Sequence, residues 1–356
     1  MDIFQPPAQN LPAETATPAQ IARFVVDAAV HAPSVHNTQP WWFSHDEHEV
    51  TVHANPDRQL RVADRDGREM MISCGAALFT IRVALRYLGF VPHVRVLPDP
   101  DLPNLVARVA WGEPVPPVEY EKQLFAEIPR RRTHRGGFDP APLPAGLLAA
   151  LPEEAAREKT RLSLLADPAD QARAAALAAA VECGDYALRL DENRAREEAR
   201  WAPGPGSHRQ DGVPPTAYPA RPERTEPHFP ARDFARGRGW GLPLNPVNPV
   251  NPIDPEEPAV RSAGVVGLLT TSVDHRADWV HAGQALQRVL LLASSSKVAA
   301  ALHSQPLEIP LLRDFIRIHL SGRGYPQMVL RFGTTSETAV SVRHPVDEVL
   351  LDESRI

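Results

Sequence analysis

The 356-residue sequence contains only two cysteines, and Cys74 and Cys183 lie too far apart to form a disulfide framework or a zinc knuckle. The chain also lacks an excess of basic residues: its formal net charge is -6, which argues against a nucleic-acid-binding protein. No apolar run approaches the roughly 20 residues of a membrane helix, and the first residues show no signal-peptide pattern. We therefore expect a soluble, cytoplasmic protein whose partners include neither a membrane nor a nucleic acid.

Several catalytic signatures are missing as well. The sequence contains no HExxH, no CxxC and no spacing typical of two histidines with a carboxylate, so we expect no metal site. It contains no GxGxxG dinucleotide fingerprint, no P-loop and no GxSxG nucleophile elbow. The motifs therefore give no support to a metalloenzyme, a P-loop nucleotidase or a serine hydrolase.

Proline, by contrast, is abundant. The chain has 38 prolines, and 14 of them fall between residues 203 and 258. This share is roughly twice the average usage. Within the segment, the period-three repeat Asn245–Pro252 favours an extended, polyproline-like strip. The residues alone leave two interpretations open, an ordered strip or a disordered surface loop.

Helical and strand periodicities run through the chain in two similar rounds. A Gly-x-Ala-Leu motif opens a predicted helix at Gly75 and recurs at Gly283, where it opens another. This internal similarity indicates a duplicated α/β unit; the alternative is that any helix–strand alternation resembles itself. The predicted helices are 18–30, 74–89, 119–128, 147–151, 168–198 with a break near Gly184, 279–301 and 311–320, and the predicted strands are 49–54, 94–96, 105–111, 162–165, 263–272 and 327–332.

Short polar side chains follow the end of the first predicted helix, at Ser34, Asn37 and Gln39. Such groups are suited to hydrogen-bonding a planar ring that is rich in heteroatoms, with Trp41 as a wall beside it. The alternative is an ordinary polar turn that precedes a core tryptophan.

A basic cluster follows the third predicted helix, where Arg131, Arg132 and Arg135 surround the hydroxyl of Thr133. Guanidinium forks match the geometry of a phosphate group, and a threonine adds one more donor. The alternative is a solvated basic face. Further along, the turn at 305–308 leaves backbone groups facing outward and by itself is unremarkable.

Together these segments resemble the nitroreductase superfamily of flavoproteins, and more closely its Acg family of actinobacteria, in which two nitroreductase-like halves are fused. They stand in the family's order from about residue 18 to 350. The resemblance implies an α+β, nitroreductase-like fold with two pseudo-symmetric α/β halves, an intramolecular pseudo-dimer. The halves would span 18–118 and 119–350, and the second would include a lid-like, proline-rich insertion at 203–258. The segments that carry the resemblance are 32–41, 66–69, 73–78, 131–135, 282–286, 304–308 and 343–345.

The resemblance also implies one composite FMN site in each chain, because the second half lacks a Pro-Ser-x-x-Asn loop of its own. Arg131 and Arg343 would neutralise the FMN phosphate, and Thr133 with Arg135 would contact the ribityl chain and the N1/O2 edge of the ring. Backbone atoms of the 306–308 turn would approach N5, where hydride arrives. The residues implied for cofactor binding are Pro33, Ser34, Asn37, Gln39, Arg131, Arg132, Thr133, Arg135, Pro306, Leu307, Glu308 and Arg343.

For function, the resemblance implies hydride transfer from NAD(P)H through FMN to a small nitroaromatic or quinone-type acceptor. The flavin supplies the redox chemistry, so no catalytic side chain is expected. An alternative is an Acg-like protein that sequesters FMN under its lid and turns over little. A third is a relative that binds no flavin. A monomeric pseudo-dimer is expected, and a higher oligomer is left open.

Overall fold

Two long helices, one from each half of the protein, pack against each other, and each half has its own four-stranded sheet. The computed structural model describes residues 16–204, 206–219, 223–232, 259–337 and 339–351. Its helices are α1 (Pro18–Ala29), α2 (Arg68–Leu88), α3 (Glu119–Glu127), α4 (Ala145–Ala156), α5 (Gln171–Leu190), α6 (Glu192–Ala199), α7 (Arg276–Ser295), α8 (Pro310–His319) and α9 (Val346–Val349). Its strands are β1 (Trp41–His45), β2 (Glu49–Ala54), β3 (Phe90–Val96), β4 (Leu105–Pro114), β5 (Arg161–Leu165), β6 (Glu223–Glu226), β7 (Ala259–Ser262), β8 (Val265–Thr271), β9 (Ala299–His303) and β10 (Tyr325–Gly333).

The two large sheets have the same topology. The strand order is β1-β2-β4-β3 in the first sheet and β5-β8-β10-β9 in the second, and all neighbouring strands are antiparallel. In both halves a long helix, α2 or α7, separates the first two strands from the last two. This identity of order confirms the predicted α+β fold with two pseudo-symmetric halves.

The repeated Gly-x-Ala-Leu motif marks the place where α2 and α7 cross. Gly75 and Gly283 are each the eighth residue of their helix. A Cβ on Gly283 would lie 2.0 Å from the carbonyl oxygen of Ile72, and one on Gly75 would lie 2.2 Å from that of Val280. Only glycine permits so close an approach of two helix backbones, so the motif is a packing contact between the halves.

The prediction that the motif opens its helices was wrong. Helix α2 begins at Arg68, where Gly67 adopts a left-handed φ of 73°. Both carboxylate oxygens of Asp64 accept hydrogen bonds from the first turn, at 2.9 Å from the Glu69 amide and 2.8 Å from the Met70 amide. Asp64 lies four residues before the helix, so its role as a cap could not be recognised from the residues next to the helix start.

Helix α2 is also long and apolar enough to cross a membrane when judged by length and composition, and 78% of that window is buried inside the protein. The core helix of a soluble protein passes the same test, because a helix that is buried on all sides is apolar all round.

The long helical stretch predicted for 168–198 is divided at a different residue from the one expected. The stretch 168–198 divides at Asp191, which caps α6 by accepting from the amides of Asn193 and Arg194, and it does not break near Gly184. Gly184 instead lets α5 approach the 305–308 turn, since a Cβ there would lie 2.9 Å from the backbone of Gln305.

Four strands were missed: β6 and β7, which form a separate two-stranded sheet, and β1 and β9 of the large sheets. The predicted helix 279–301 ends at Ser295, and the next residues turn at Lys297, whose φ is 59°, into strand β9. Strand β1 follows the polar loop directly and places Trp41 and Phe43 in the core. Strands β1 and β9 are only five residues long, and short apolar runs do not distinguish a strand from a helix.

The chain crosses between the halves near both candidate motifs. After β10 it returns to the first half, where Val346 and Val349 join the core and Leu350 pairs with Phe43. After α3 it enters the second half, where Thr133 pairs with Ala300 of β9. These crossings bring residues that are remote in sequence to one interface. The Asn-Pro repeat at 245–252 lies outside the described residues.

We predict that Gly283→Ala lowers the free energy of unfolding by about 2–3 kcal/mol, because the added methyl group meets a helix carbonyl that moves only if α2 and α7 separate. Denaturant unfolding measures the change. Gly146→Ala in α4 is the matched control, since no atom lies within 4 Å of the new methyl group. This control should be neutral or stabilising by about 0.5–1 kcal/mol, and an equal loss in both variants would contradict the assigned crossing.

Candidate functional site

A cavity of about 110 Å³ lies where the two halves meet. The first half contributes the loop after α1 and the start of α2, and the second contributes the segment after α3, the end of β9 and part of β10. Of the residues predicted for the site, Pro33, Ser34, Thr133 and Arg135 line this cavity. The cavity is therefore composite, with walls from residues on both sides of the pseudo-symmetry.

The basic cluster lies next to the cavity, which Arg135 lines. Arg131 is only 3% exposed, whereas Arg132, Arg135 and Arg343 are half-buried, and Arg131 and Arg132 line an adjacent cavity. Arg343, from the segment after β10, joins the cluster, because both Arg131 and Arg343 donate to the backbone carbonyl of His31, at 3.3 and 3.4 Å. The segments before and after the second sheet thus deliver guanidinium groups to one place.

These guanidinium groups lack a counter-charge. Within the described residues, no carboxylate pairs with Arg131, Arg132, Arg135 or Arg343. Their hydrogen-bond partners include carbonyl oxygens, the side-chain oxygen of Asn37 and, for Arg135, the Tyr218 side chain. Three of their buried nitrogens, Nε and Nη1 of Arg131 and Nε of Arg343, have no hydrogen-bond partner. Buried cations without partners are costly, so the cluster is suited to receiving an anion.

The pKa values of Arg131 and Arg343 are lowered, as expected for neighbouring cations that are withdrawn from solvent. Burial, followed by repulsion from Arg132 and Arg135, lowers the pKa of Arg131 to about 9. Burial and the same kind of repulsion place the pKa of Arg343 well below its ordinary value. A bound dianion would reverse both effects, because an opposite charge favours the protonated guanidinium.

The polar loop after α1 uses its side chains differently from the prediction. Asn37 does not line the cavity: its amide donates to the carbonyls of Gly212 and Val342, both at 3.0 Å, and its oxygen accepts from Arg343 at 2.8 Å. Gln39 donates to the Gln210 carbonyl at 2.7 Å and accepts from the His344 amide at 2.9 Å. Asn37 and Gln39 therefore fasten the insertion and the C-terminal segment, and Asn37 orients Arg343.

The predicted turn forms another wall. Pro306 and Leu307 are buried, and Gln305 lines the cavity, whereas Leu307 and Glu308 face a neighbouring cavity. The carboxylate of Glu308 accepts from Ser304 Oγ at 2.8 Å and from Arg232 Nη2 at 2.5 Å. The turn is thus held rigidly at the edge of the site.

Described parts of the proline-rich insertion cover the cavity. Val213, Tyr218, Ala231 and Arg232 all line it. The Tyr218 hydroxyl donates to the Arg232 carbonyl at 2.9 Å, and its ring lies 5.7 Å from the guanidinium carbon of Arg135. The insertion is therefore part of the site, as far as the described residues extend.

Several lining residues were not anticipated. Arg331 is the charged residue of strand β10. It donates to His303 Nε2 at 2.9 Å, and its guanidinium carbon lies 5.2 Å from the ring centroids of both Phe138 and Phe229. The feature of the sequence that could have identified Arg331 is a single charged residue inside a strand predicted to be buried. Sequence reasoning gave no role in the site to His36, Glu69, Ser73, Tyr218, Arg232, His303 or Arg331.

In the part of the chain that the structure describes, no three histidine, cysteine, aspartate or glutamate side chains gather closely enough to hold a metal ion. Polarity in the cavity comes instead from arginines, histidines, hydroxyls and one carboxyl group.

Comparison with known proteins gives the family. No family model matches the chain. However, Rv3131 of Mycobacterium tuberculosis, provisionally named an NAD(P)H nitroreductase, is 35% identical over 316 residues, which cover 88% of this chain and 85% of that protein. The chain belongs to the nitroreductase superfamily, in its Acg-like group. The Acg protein of the same organism, with the same provisional name, is 28% identical over 341 residues, covering 94% of this chain and 97% of that protein.

Among solved structures, a nitroreductase from Desulfitobacterium hafniense with bound FMN is similar at 14% identity and a TM-score of 0.38. The match covers 64% of this chain and 97% of that one.

We predict that Arg131→Met stabilises the protein by about 1–3 kcal/mol in phosphate-free buffer, because it removes a buried cation that no described carboxylate balances. The same substitution should abolish the extra rise in Tm that inorganic phosphate gives over chloride at equal ionic strength. Arg196→Met is the matched control, because Arg196 is exposed on α6 and pairs with Glu192 at 2.8 Å. A phosphate effect that persists in Arg131→Met would place anion binding elsewhere.

Proposed function

We propose that this protein is an FMN-dependent oxidoreductase that takes hydride from NAD(P)H and reduces a small nitroaromatic or quinone-type acceptor. One observation carries the proposal: four neighbouring guanidinium groups, one buried and three half-buried, have no carboxylate partner among the described residues, and one of them, Arg135, lines a cavity that both halves form. Phosphate is the anion that such forks recognise best, and the composite cavity beside them combines apolar walls with a few polar groups, as sites for small ligands do. Membership of the nitroreductase superfamily favours FMN as the molecule that binds here.

The chain's own residues would bind and orient the cofactor. Arg131 and Arg343 would neutralise the phosphate, and Arg132 would add charge at the same end. Thr133 and Arg135 would contact the ribityl chain and the N1/O2 edge of the ring. Pro33 and Ser34 would approach from the first half, and backbone atoms of the 306–308 turn would approach N5. FMN supplies the hydride chemistry when bound, so the protein's part is binding, orientation and exclusion of water.

A single site in each chain follows from the same arrangement. The loop with Ser34 has no counterpart in the second half, where the insertion at 203–258 occupies the corresponding stretch of sequence. The insertion's described part is fastened to the Ser34 loop through Asn37 and Gln39. We therefore propose that one FMN binds per chain and that one chain is sufficient to form the site.

We predict that the purified protein carries one FMN per chain and that anaerobic mixing with NADH or NADPH abolishes the visible absorption band of oxidised flavin. Arg131→Ala should weaken FMN retention by about 2 kcal/mol, because a charge-assisted phosphate contact is lost. Equilibrium dialysis measures the affinity, and the exposed Arg196→Ala serves as control. A colourless protein that takes up no added FMN would contradict flavin binding, and a flavin that neither nucleotide reduces would contradict the oxidoreductase.

A second function, sequestration of FMN with little turnover, is favoured by the cover over the cavity. Arg232 of the insertion is largely buried, with its side chain 11% exposed, and it pairs with Glu308 at 2.5 Å and with Glu198 at 3.6 Å. A cover held by buried ion pairs opens at a high cost, because separation leaves charges unpaired in the interior. Such a site would hold its cofactor and admit an acceptor slowly.

We predict that Tyr218→Ala accelerates reduction of the bound flavin by dithionite at least several-fold if the insertion restricts access, because the tyrosine ring leaves the cavity wall. Stopped-flow absorbance measures the rate. Tyr186→Ala is the matched control, because Tyr186 lies on α5 and is 66% exposed. Equal rates in the wild type and in Tyr218→Ala would show that the cover does not control access.

A further inference from the structure

The cavity contains one carboxyl group among its described lining residues, that of Glu69. Glu69 is the second residue of α2 and is 3% exposed. Its Oε1 accepts a hydrogen bond from Arg68 Nη2 at 3.0 Å, whereas its Oε2 is buried and has no hydrogen-bond partner among the residues that the structure describes. An unpartnered carboxyl oxygen at the wall of a cavity is either strongly destabilising or awaits an occupant of that cavity.

The charges around Glu69 favour its neutral form. The surrounding carboxyl groups outnumber the guanidinium groups that pair with them, four to three. The four carboxyl groups are those of Glu69, Asp64, Glu308 and Glu198. The three guanidinium groups are those of Arg68, Arg194 and Arg232. Arg232 is shared between Glu308 and Glu198 and also donates to His36, so its charge is already divided. One carboxyl group of the network is therefore left without a cation of its own.

Burial is the largest effect on Glu69, followed by repulsion from Glu308, and the two outweigh the attraction of Arg68. Together they raise its pKa to about 8. The group is therefore protonated at neutral pH and loses its proton as the pH rises through about 8. Because Oε1 faces the donor Arg68, the proton belongs on Oε2, the oxygen without a partner.

Two histidines of the cavity, His36 and His303, and the hydroxyls of its wall are poorer proton donors. Burial places the pKa of both His36 and His303 well below the ordinary value, with Arg232 adding to the effect, so both are neutral at physiological pH. His303 Nε2 accepts from Arg331. The hydroxyls of Ser34, Ser73 and Thr133 are far weaker acids than a carboxylic acid.

We propose that Glu69 is the proton donor of this site, delivering its proton to the oxygen of a quinone-type acceptor as that acceptor is reduced. The proposal rests on the proposed function. The acceptor gains two electrons and one hydrogen as hydride from reduced FMN, its carbonyl π bond breaks, and the resulting oxyanion takes the Oε2 proton to give the hydroquinone. Glu69 is left as a carboxylate beside Arg68 and regains its proton from solvent.

The test compares two oxidants of the photoreduced, FMN-loaded protein. In Glu69→Gln, reoxidation by benzoquinone should slow by about 100-fold, because the amide keeps the contact with Arg68 but supplies no proton. Reoxidation by ferricyanide, which takes up electrons and no proton, should be unchanged. Glu69→Asp should restore part of the benzoquinone rate, and Glu153→Gln, an exposed carboxyl on α4, should behave as the wild type.

A second readout does not depend on turnover. The infrared spectrum of the purified protein at neutral pH should show a protonated carboxyl band that is absent from Glu69→Gln and that disappears in the wild type as the pH rises above about 8. Absence of this difference band overturns the proposal, as does equal slowing by both oxidants. A wild type that holds no reducible flavin overturns the proposed function and this inference together, whereas an unchanged benzoquinone rate in Glu69→Gln overturns this inference alone.

Discussion

The close contact between α2 and α7 is the constraint on which the rest of the structure depends. Gly75 and Gly283 bring the two helix backbones so near that no larger residue fits at either position. The crossing fixes the two sheets relative to each other and sets the loop after α1 beside the segment after α3. A cavity with walls from both halves is the direct result, and in this single chain the contact that forms it is intramolecular and independent of protein concentration.

Charge in the site is segregated. One end holds Arg131, Arg132, Arg135 and Arg343, which have no carboxylate partner among the described residues, and the other holds Glu69, Glu308 and Arg232. Each arrangement costs stability in the folded protein. The cost at the basic end is offset when a dianion binds, and the cost at the acidic end is reduced when one carboxyl group keeps its proton. The same separation suits a cofactor that has a phosphate at one end and a proton-coupled reaction at the other.

The proline-rich insertion takes part in this arrangement through its described residues. The carbonyls of Gln210 and Gly212 accept hydrogen bonds from Gln39 and Asn37, and Arg232 pairs with Glu308 of the 305–308 turn. The loop that was predicted to contact the flavin with three polar side chains therefore uses two of them to hold the cover and Arg343 in place. Asn37 acts on the basic cluster, since its side-chain oxygen accepts a hydrogen bond from Arg343.

The sequence by itself determined the duplicated α/β plan, most of the long elements, the polar loop at 34–39 and the basic cluster at 131–135, because each of these is a local pattern. Short strands such as β9 were not predicted, because the periodicity of a five-residue apolar run does not distinguish a strand from a helix. Only the tertiary structure decided that Asn37 bonds to Arg343, more than 300 residues away, and that Glu69, Arg232 and Arg331 meet in one cavity. The physical reason is that a buried polar side chain takes its role from the partners that surround it, and here those partners arrive from distant parts of the chain.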